Sequence, residues 1–505
     1  MSYSDFTTRI AGINDILSTV NLLAWDARTQ MPAGGAVTRG NQVATLTALA
    51  RDAATGDALR RAMDAAEEEL AVAPVDDIRR RALALARREI GVLARIPAAL
   101  IEESAALTTR AHGQWVAARA ASDFSAYAPV LTRVIAIQRE IAEAIGYEAH
   151  PYDAMLSRYE PGMTRARMQA LFGDLRAALL PLIDRALGAP QPRSDFLKRP
   201  CPIAGQKAFA AEMAQRLGYD MARGRIDDTV HPFEISFTRN DVRITSRFRE
   251  DAMAAGFFAL WHEAGHAMYE QAIEPAFTRS IFATDLVNLY AVGGTSFGAH
   301  ESQSRLWENR VARARPFWEL HFGTLRAHFP EQLADVDAET FWRAVNAARP
   351  GLIRVEADEL TYDLHVMLRA DIEAALMTGE VLVADLPALW NARIKSDLGL
   401  DVPSDREGVL QDVHWSHGYV GSFPTYTFGN IMAAQFFAAA NDEDAVSAGL
   451  GSGDYAPLRG WLAENVQRHG RSRTSDELLQ AATGCGLTIR PYVDVLTAKV
   501  DALTA

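Results

Sequence analysis

Two histidines separated by three residues, His262 and His266 in the segment LWHEAGHAMYE, dominate the chemistry that this 505-residue chain can offer. On a helix, positions i and i+4 project from one face a turn apart, so both imidazoles can reach a single cation. Glu263 follows the first histidine and lies beside such an ion. There it can take a proton from an activated water and later pass it to a leaving amine. The pattern is that of a metal-dependent hydrolase of amide bonds. The local sequence predicts the helix that this pattern needs. Met253, Phe257, Trp261, Ala264 and Met268 form an apolar face, and Glu250 and Asp251 place negative charge near its start.

A catalytic zinc site has three protein ligands and one open position. No histidine stands between Ala267 and Phe277, so the third ligand must come from farther away. Glu301, in GAHESQSRLWENR, is the expected donor, at the start of a helix 35 residues beyond His266. Its placement is similar to the remote glutamate of gluzincin-type peptidases. His300 and Asp358 are expected to orient ligands without touching the ion. Two imidazoles and a carboxylate suit Zn2+, and Co2+ or Mn2+ could occupy the same donors.

The elements that must position these residues read as mostly helical. Apolar residues make up 49% of the chain, with alanine and leucine recurring, and both lose little conformational freedom in a helix. Helical periodicity runs from Arg79 to about Ala121, broken only at Pro97, then from Tyr127 to Ile145 and from Thr164 to Leu187. The stretch from Gly188 to Ile203, rich in proline, glycine and charge, is the best linker candidate. It separates an N-terminal helical part, about 1–190, from a catalytic part, about 204–505, within one peptidase domain. From His231 to Phe248 apolar and polar residues alternate around Arg239-Asn240, which predicts an antiparallel hairpin just ahead of the motif helix. GYVGSFPTYTFG, from Gly418 to Gly429, reads as a glycine and aromatic loop that could wall a pocket.

Composition excludes other classes. A formal charge of −13 argues against nucleic acid, because phosphate binding needs a basic face. Two cysteines, Cys201 and Cys485, form no disulfide framework and fit a reducing cytoplasm. The N-terminus lacks a signal-peptide pattern, and no stretch approaches the roughly 18 apolar residues of a membrane helix.

Five short segments, in order, resemble signatures of the carboxypeptidase Taq family of metallopeptidases. They are DVRIT (Asp241 to Thr245), HEAGH, HES (His300 to Ser302), IRVEAD (Ile353 to Asp358) and GVLQDVHW (Gly408 to Trp415). HPF at His231 and WDARTQMP at Trp25 are similar too. The resemblance implies a mainly α fold with a deep groove, shared with neurolysin-like oligopeptidases and angiotensin-converting enzymes. It also implies a homodimeric carboxypeptidase that removes C-terminal residues other than proline from peptides with a free C-terminus.

The resemblance assigns further roles. Arg354 is preferred as the group that grips the substrate's carboxylate, because a planar guanidinium can donate two parallel hydrogen bonds; Arg243 is expected to help it. His231 is a further substrate-side candidate. His414 and Tyr426 are assigned to the oxyanion and Tyr419 to substrate positioning, since a similar histidine–tyrosine pattern occurs in thimet-type oligopeptidases. The alternatives are an oligopeptidase cutting internal bonds and a catalytically silent peptide-binding protein. Intact Glu263 and ligands argue against the second.

Overall fold

In the computed structural model, which describes residues 2–505, helices follow one another along most of the chain and one small sheet interrupts them. These elements gather into two compact units, each assembled from three segments. The first holds the stretch ending at Leu93, Pro192–Val345 and Gly429–Leu487; the second holds Ala94–Gln191, Asn346–Phe428 and Thr488–Ala505. The chain thus changes unit within the proline- and glycine-rich stretch between Gly188 and Ile203.

In the first unit, the helices Tyr3–Thr29, Ala36–Thr55, Asp57–Glu69 and Ile78–Arg95 bury a shared apolar face. Phe6, Ile10, Ile13 and Leu17 pack with Leu59, Met63, Leu83 and Leu93, and with Ile281, Phe282 and Leu286 from the segment behind the motif helix. Each such side chain stabilises the fold by about 1.5–3 kcal/mol relative to exposure.

The sheet also belongs to this unit. β2 (Glu234–Thr238) and β3 (Asp241–Ser246) form the expected antiparallel hairpin across Arg239-Asn240. A third strand, β1 (Gly224–Asp228), pairs parallel to β3, so the order is β1-β3-β2. Its sequence GRIDD has one apolar residue and no alternation, which is why periodicity does not reveal it. Val242 and Ile244 of the central strand are fully buried. Ser246 Oγ donates to the carbonyl of Gly256, 2.9 Å away, tying the end of β3 to the first turn of the motif helix.

The motif helix runs from Met253 to Ala272, and all five residues of its expected apolar face are buried. Trp261 anchors it. The indole donates to the Ala210 carbonyl at 3.0 Å, and its ring packs against Phe209, Phe257, Phe258, Phe317 and Trp318. Glu250 and Asp251 lie before the first turn, where Asp251 pairs with Arg249 instead of the helix dipole.

The second unit is helical throughout. Pro97 ends the run at Arg95 and a new helix covers Ala98–Ala121; Asp123 and Thr164 cap Phe124–Ile145 and Arg165–Gly188 through their side chains. Buried Glu373, on the helix Tyr362–Thr378, accepts from Tyr152 Oη (2.6 Å), Trp415 Nε1 (2.9 Å) and the Gly421 amide (2.9 Å). The last two of these bonds pin the segment carrying His414 and Tyr419. The glycine and aromatic stretch is a loop only as far as Phe423. A helix, Pro424–Asn441, then starts at a proline, whose missing N–H costs nothing in a first turn. Tyr426 is therefore helical. Among the described residues, no helix is long and apolar enough to cross a membrane.

Candidate metal centre

Three candidate ligands converge in the first unit. The donor atoms of His262, His266 and Glu301 lie within 4.8 Å of one another. Glu301 Oε2 is 3.5 Å from His262 Nε2 and 3.2 Å from His266 Nε2. Ligands at about 2.0–2.1 Å from a tetrahedral ion stand roughly 3.3–3.4 Å apart, which is close to both distances from Glu301. Glu301 sits in the second turn of the helix Phe297–Arg305, which Ser296 caps by accepting from the Ala299 amide at 2.9 Å. It does not start that helix, as the sequence suggested.

The two ligand helices approach closely because position 265 is glycine. A Cβ there would lie 2.6 Å from both the Gln303 carbonyl oxygen and Ser304 Cα, which are backbone atoms and cannot swing aside. Gly265→Ala is expected to push the helices apart and cost about 1–3 kcal/mol of stability, read as a shift in the denaturant midpoint.

Charge at the centre favours a cation. Glu301 is held well below the usual carboxylate range: burial opposes ionisation, but Arg305 (Nε to Oε1, 2.7 Å) and the ligand histidines overcome it. Burial likewise dominates at His266 and pushes it down to about 3, leaving the ring neutral as a ligand must be. Burial acts the same way on His262, yet Glu301 and Glu308 outweigh it and push that ring up to about 10. A proton there balances carboxylates that a divalent ion would balance instead.

Glu308 was not foreseen. Its Oε2 lies 3.0 Å from His262 Nδ1, the usual way a carboxylate orients a ligand imidazole. Arg305 and Arg313 approach the same carboxylate, at 3.5 and 3.2 Å. Glu308 rides on a π-helical turn, Leu306–Ala312, that continues the ligand helix. Its only signal is a spacing of two turns from Glu301.

Glu263 is 8% exposed, and burial first, then Glu301, raises its carboxyl to about 7 against the pull of His262. The backbone of Glu234 in β2 faces it and favours its charged form, against the effect of burial. Glu234's own carboxyl is raised well above its usual range by burial and by Glu270 and Glu263. His300 lies against the centre, with Nδ1 2.7 Å from His266 Nδ1. Arg243 is bound to Asp241 (2.8 and 2.9 Å) and stacks on Trp25 at 4.3 Å. His231 is exposed, just ahead of β2.

The remaining candidates lie in the second unit. Arg354, 5% exposed, donates to Asp412 Oδ1 (2.9 Å from Nη2) and Tyr362 Oη (3.0 Å from Nη1). Arg369 also donates to Asp412, 2.6 Å from Nε to Oδ2, so two guanidiniums share one carboxylate. His414 Nε2 is 3.0 Å from Tyr426 Oη, and Arg354 stacks 5.1 Å from the Tyr426 ring centre. Burial pushes His414 down to about 3, so its ring is neutral. Tyr419 is partly exposed and stacks with His417 at 5.7 Å. Asp358 is engaged in its own loop, accepting from the amides of Arg349 and Leu360 at 3.0 Å and from Thr361 Oγ1 at 2.7 Å.

Known proteins are similar to this one over nearly the whole chain. The family described as carboxypeptidase Taq (M32) metallopeptidase matches residues 5–500. The chain is 36% identical to carboxypeptidase 1 of Bacillus subtilis over 504 residues, covering 99% of this chain and 98% of that one. It is 38% identical to thermostable carboxypeptidase 1 of Thermus thermophilus over 501 residues, 95% of each. The crystal structure of the M32 carboxypeptidase from Deinococcus radiodurans superposes with a TM-score of 0.94 at 39% identity, over 99% of both chains. With its HEAGH helix and remote glutamate in place, this chain belongs to the carboxypeptidase Taq family of metallopeptidases.

Proposed function

We propose that this protein is a zinc carboxypeptidase that releases C-terminal residues, other than proline, from peptides with a free C-terminus. The observation that carries the reading is the convergence of His262, His266 and Glu301 beside a buried Glu263 raised to about 7. Relatives named carboxypeptidases over nearly the full chain support it. When bound, a divalent ion acts as a Lewis acid toward water and carbonyl oxygen. Glu263 accepts the proton of the attacking water and returns it to the leaving amine. Tyr426, hydrogen-bonded to neutral His414, donates to the oxyanion, and Tyr419 positions the peptide.

Arg354 is the proposed carboxylate anchor. It has five N–H groups, and its contacts to Asp412 and Tyr362 leave donor capacity for a substrate. Two arginines on one aspartate also leave the cluster net positive, which suits an anionic chain end. Arg243 and His231 act on the substrate from the sheet side. The enzyme works as a cytoplasmic homodimer in this reading. Two unpaired cysteines, one buried and one exposed, fit a reducing compartment.

The deciding experiment compares one short peptide with a free and an amidated C-terminus, using chelated and then zinc-, cobalt- or manganese-restored protein. Chelation is expected to abolish hydrolysis and zinc to restore it. Amidation is expected to cost most of the rate. Equal cleavage of both peptides, at internal bonds, would establish an oligopeptidase instead.

A further inference from the structure

The motif helix carries a second buried acid one turn beyond His266. Glu270 is 4% exposed, and its carboxylate is enclosed by donors. The Gly293 amide lies 3.0 Å from both oxygens and the Gly294 amide 3.0 Å from Oε1. His300 Nε2 is also 3.0 Å from Oε1, while His300 Nδ1 reaches His266 Nδ1 at 2.7 Å. Glu270, His300 and His266 therefore form one unbroken chain.

Its direction follows from the ends. A ligand imidazole must be bare at the nitrogen facing the ion, and His266 presents Nε2 to Glu301. The neutral ring then carries its proton on Nδ1 and donates to His300 Nδ1. Only one hydrogen fits between those nitrogens, so His300 carries its own on Nε2 and donates to Glu270. An ionised carboxylate can only accept, which makes the order of donors unique.

The surrounding backbone is built to reach that carboxylate. A Cβ on Gly294 would sit 2.4 Å from His300 Cδ2, and one on Gly293 would sit 2.6 Å from Ile273 Cδ1. The Gly294 carbonyl accepts from Arg471 at 3.1 Å, and Arg471 is paired with buried Glu89 at 2.6 Å. Aromatic packing holds the relay ring as well: His300 stacks on Tyr269 at 5.4 Å and meets the His266 ring edge to edge, nearly coplanar, with ring centres 4.6 Å apart. By contrast, His262 meets its carboxylate, Glu308, directly.

We propose that Glu270 is a positioning residue for the metal centre, acting through His300 to fix the tautomer and orientation of His266. The proposal rests on His262, His266 and Glu301 being the metal ligands.

The test is titration of the purified apo-protein with zinc against a competing chelator. The parent is expected to bind one zinc per chain. Glu270→Gln, nearly isosteric, and His300→Phe, which keeps the ring stack, are each expected to weaken zinc about 10–100-fold. Because both interrupt one chain, the double variant should be no weaker than the weaker single. Glu308→Gln interrupts the other arm, so its loss should multiply with that of Glu270→Gln. The visible spectrum of the cobalt form should shift alike in both relay variants. Circular dichroism of the apo forms checks folding, and His300→Phe decides alone if Glu270→Gln does not fold. Unchanged zinc affinity in a folded relay variant, or relay losses that simply multiply, would overturn the proposal. A parent that binds no zinc would instead overturn the ligand assignment beneath it.

Discussion

Replacing Glu263 by glutamine is expected to lower kcat/KM by about 10²–10⁴-fold while zinc stays bound. Glutamine keeps the shape and volume of the side chain, so the hairpin and motif helix should hold their places. What it cannot do is take a proton. The pH profile offers a second readout. The base works only when ionised, and burial raises it to about 7, so kcat/KM should fall as pH drops through its pKa. A cation bound beside it favours the carboxylate and moves that acid limb below 7. The residual rate of the glutamine variant should lack this limb. Near-full activity in a zinc-loaded Glu263→Gln protein would remove the residue from the mechanism.

Glu301→Ala is expected to strip the metal and, separately, to loosen the apo-protein. Loss of one of three ligands should weaken zinc by more than the roughly 100-fold expected of an outer partner. The second effect comes from Arg305, whose Nε lies 2.7 Å from Glu301 Oε1 with only 15% of its side chain exposed. Removing the carboxylate takes away an acidic partner nearer than Glu308, which stands at 3.5 Å, at a cost of about 1.5–3 kcal/mol. Metal analysis after dialysis and thermal melts of the apo forms would read the two effects independently. Zinc retained at one per chain after dialysis would rule out Glu301 as a ligand.

The parts of this site that show in sequence do so because local chemistry repeats. Two histidines a turn apart, an apolar face at helical spacing, and alternation around Arg239-Asn240 each announce themselves within about twenty residues. Thr164 likewise marks a helix start through its own side chain. Other parts depend on contacts distant in sequence. Glu308 and Glu270 are acids on helices, the commonest exposed residues in such places, and only burial beside an imidazole marks them out. β1 is a strand because β3 offers it a ladder, not because GRIDD prefers to extend. Pro424 is an instructive miss. The stretch from Gly418 to Gly429 reads as a loop throughout, yet Pro424 is the first residue of a helix that brings Tyr426 within 3.0 Å of His414.

The interleaving of the two units sets a schedule for synthesis. All three metal ligands have been made once Glu301 is joined, but Arg471, which holds the Gly294 carbonyl, belongs to a segment added much later. Neither unit is a continuous stretch, since each draws on residues beyond Val345. A growing chain therefore carries its ligand residues without the Arg471 contact until that later segment leaves the ribosome. The backing that Arg471 gives the Gly294 carbonyl, and through it the cradle of Glu270, arrives late in translation, and a chain cut short of Gly429 would lack it.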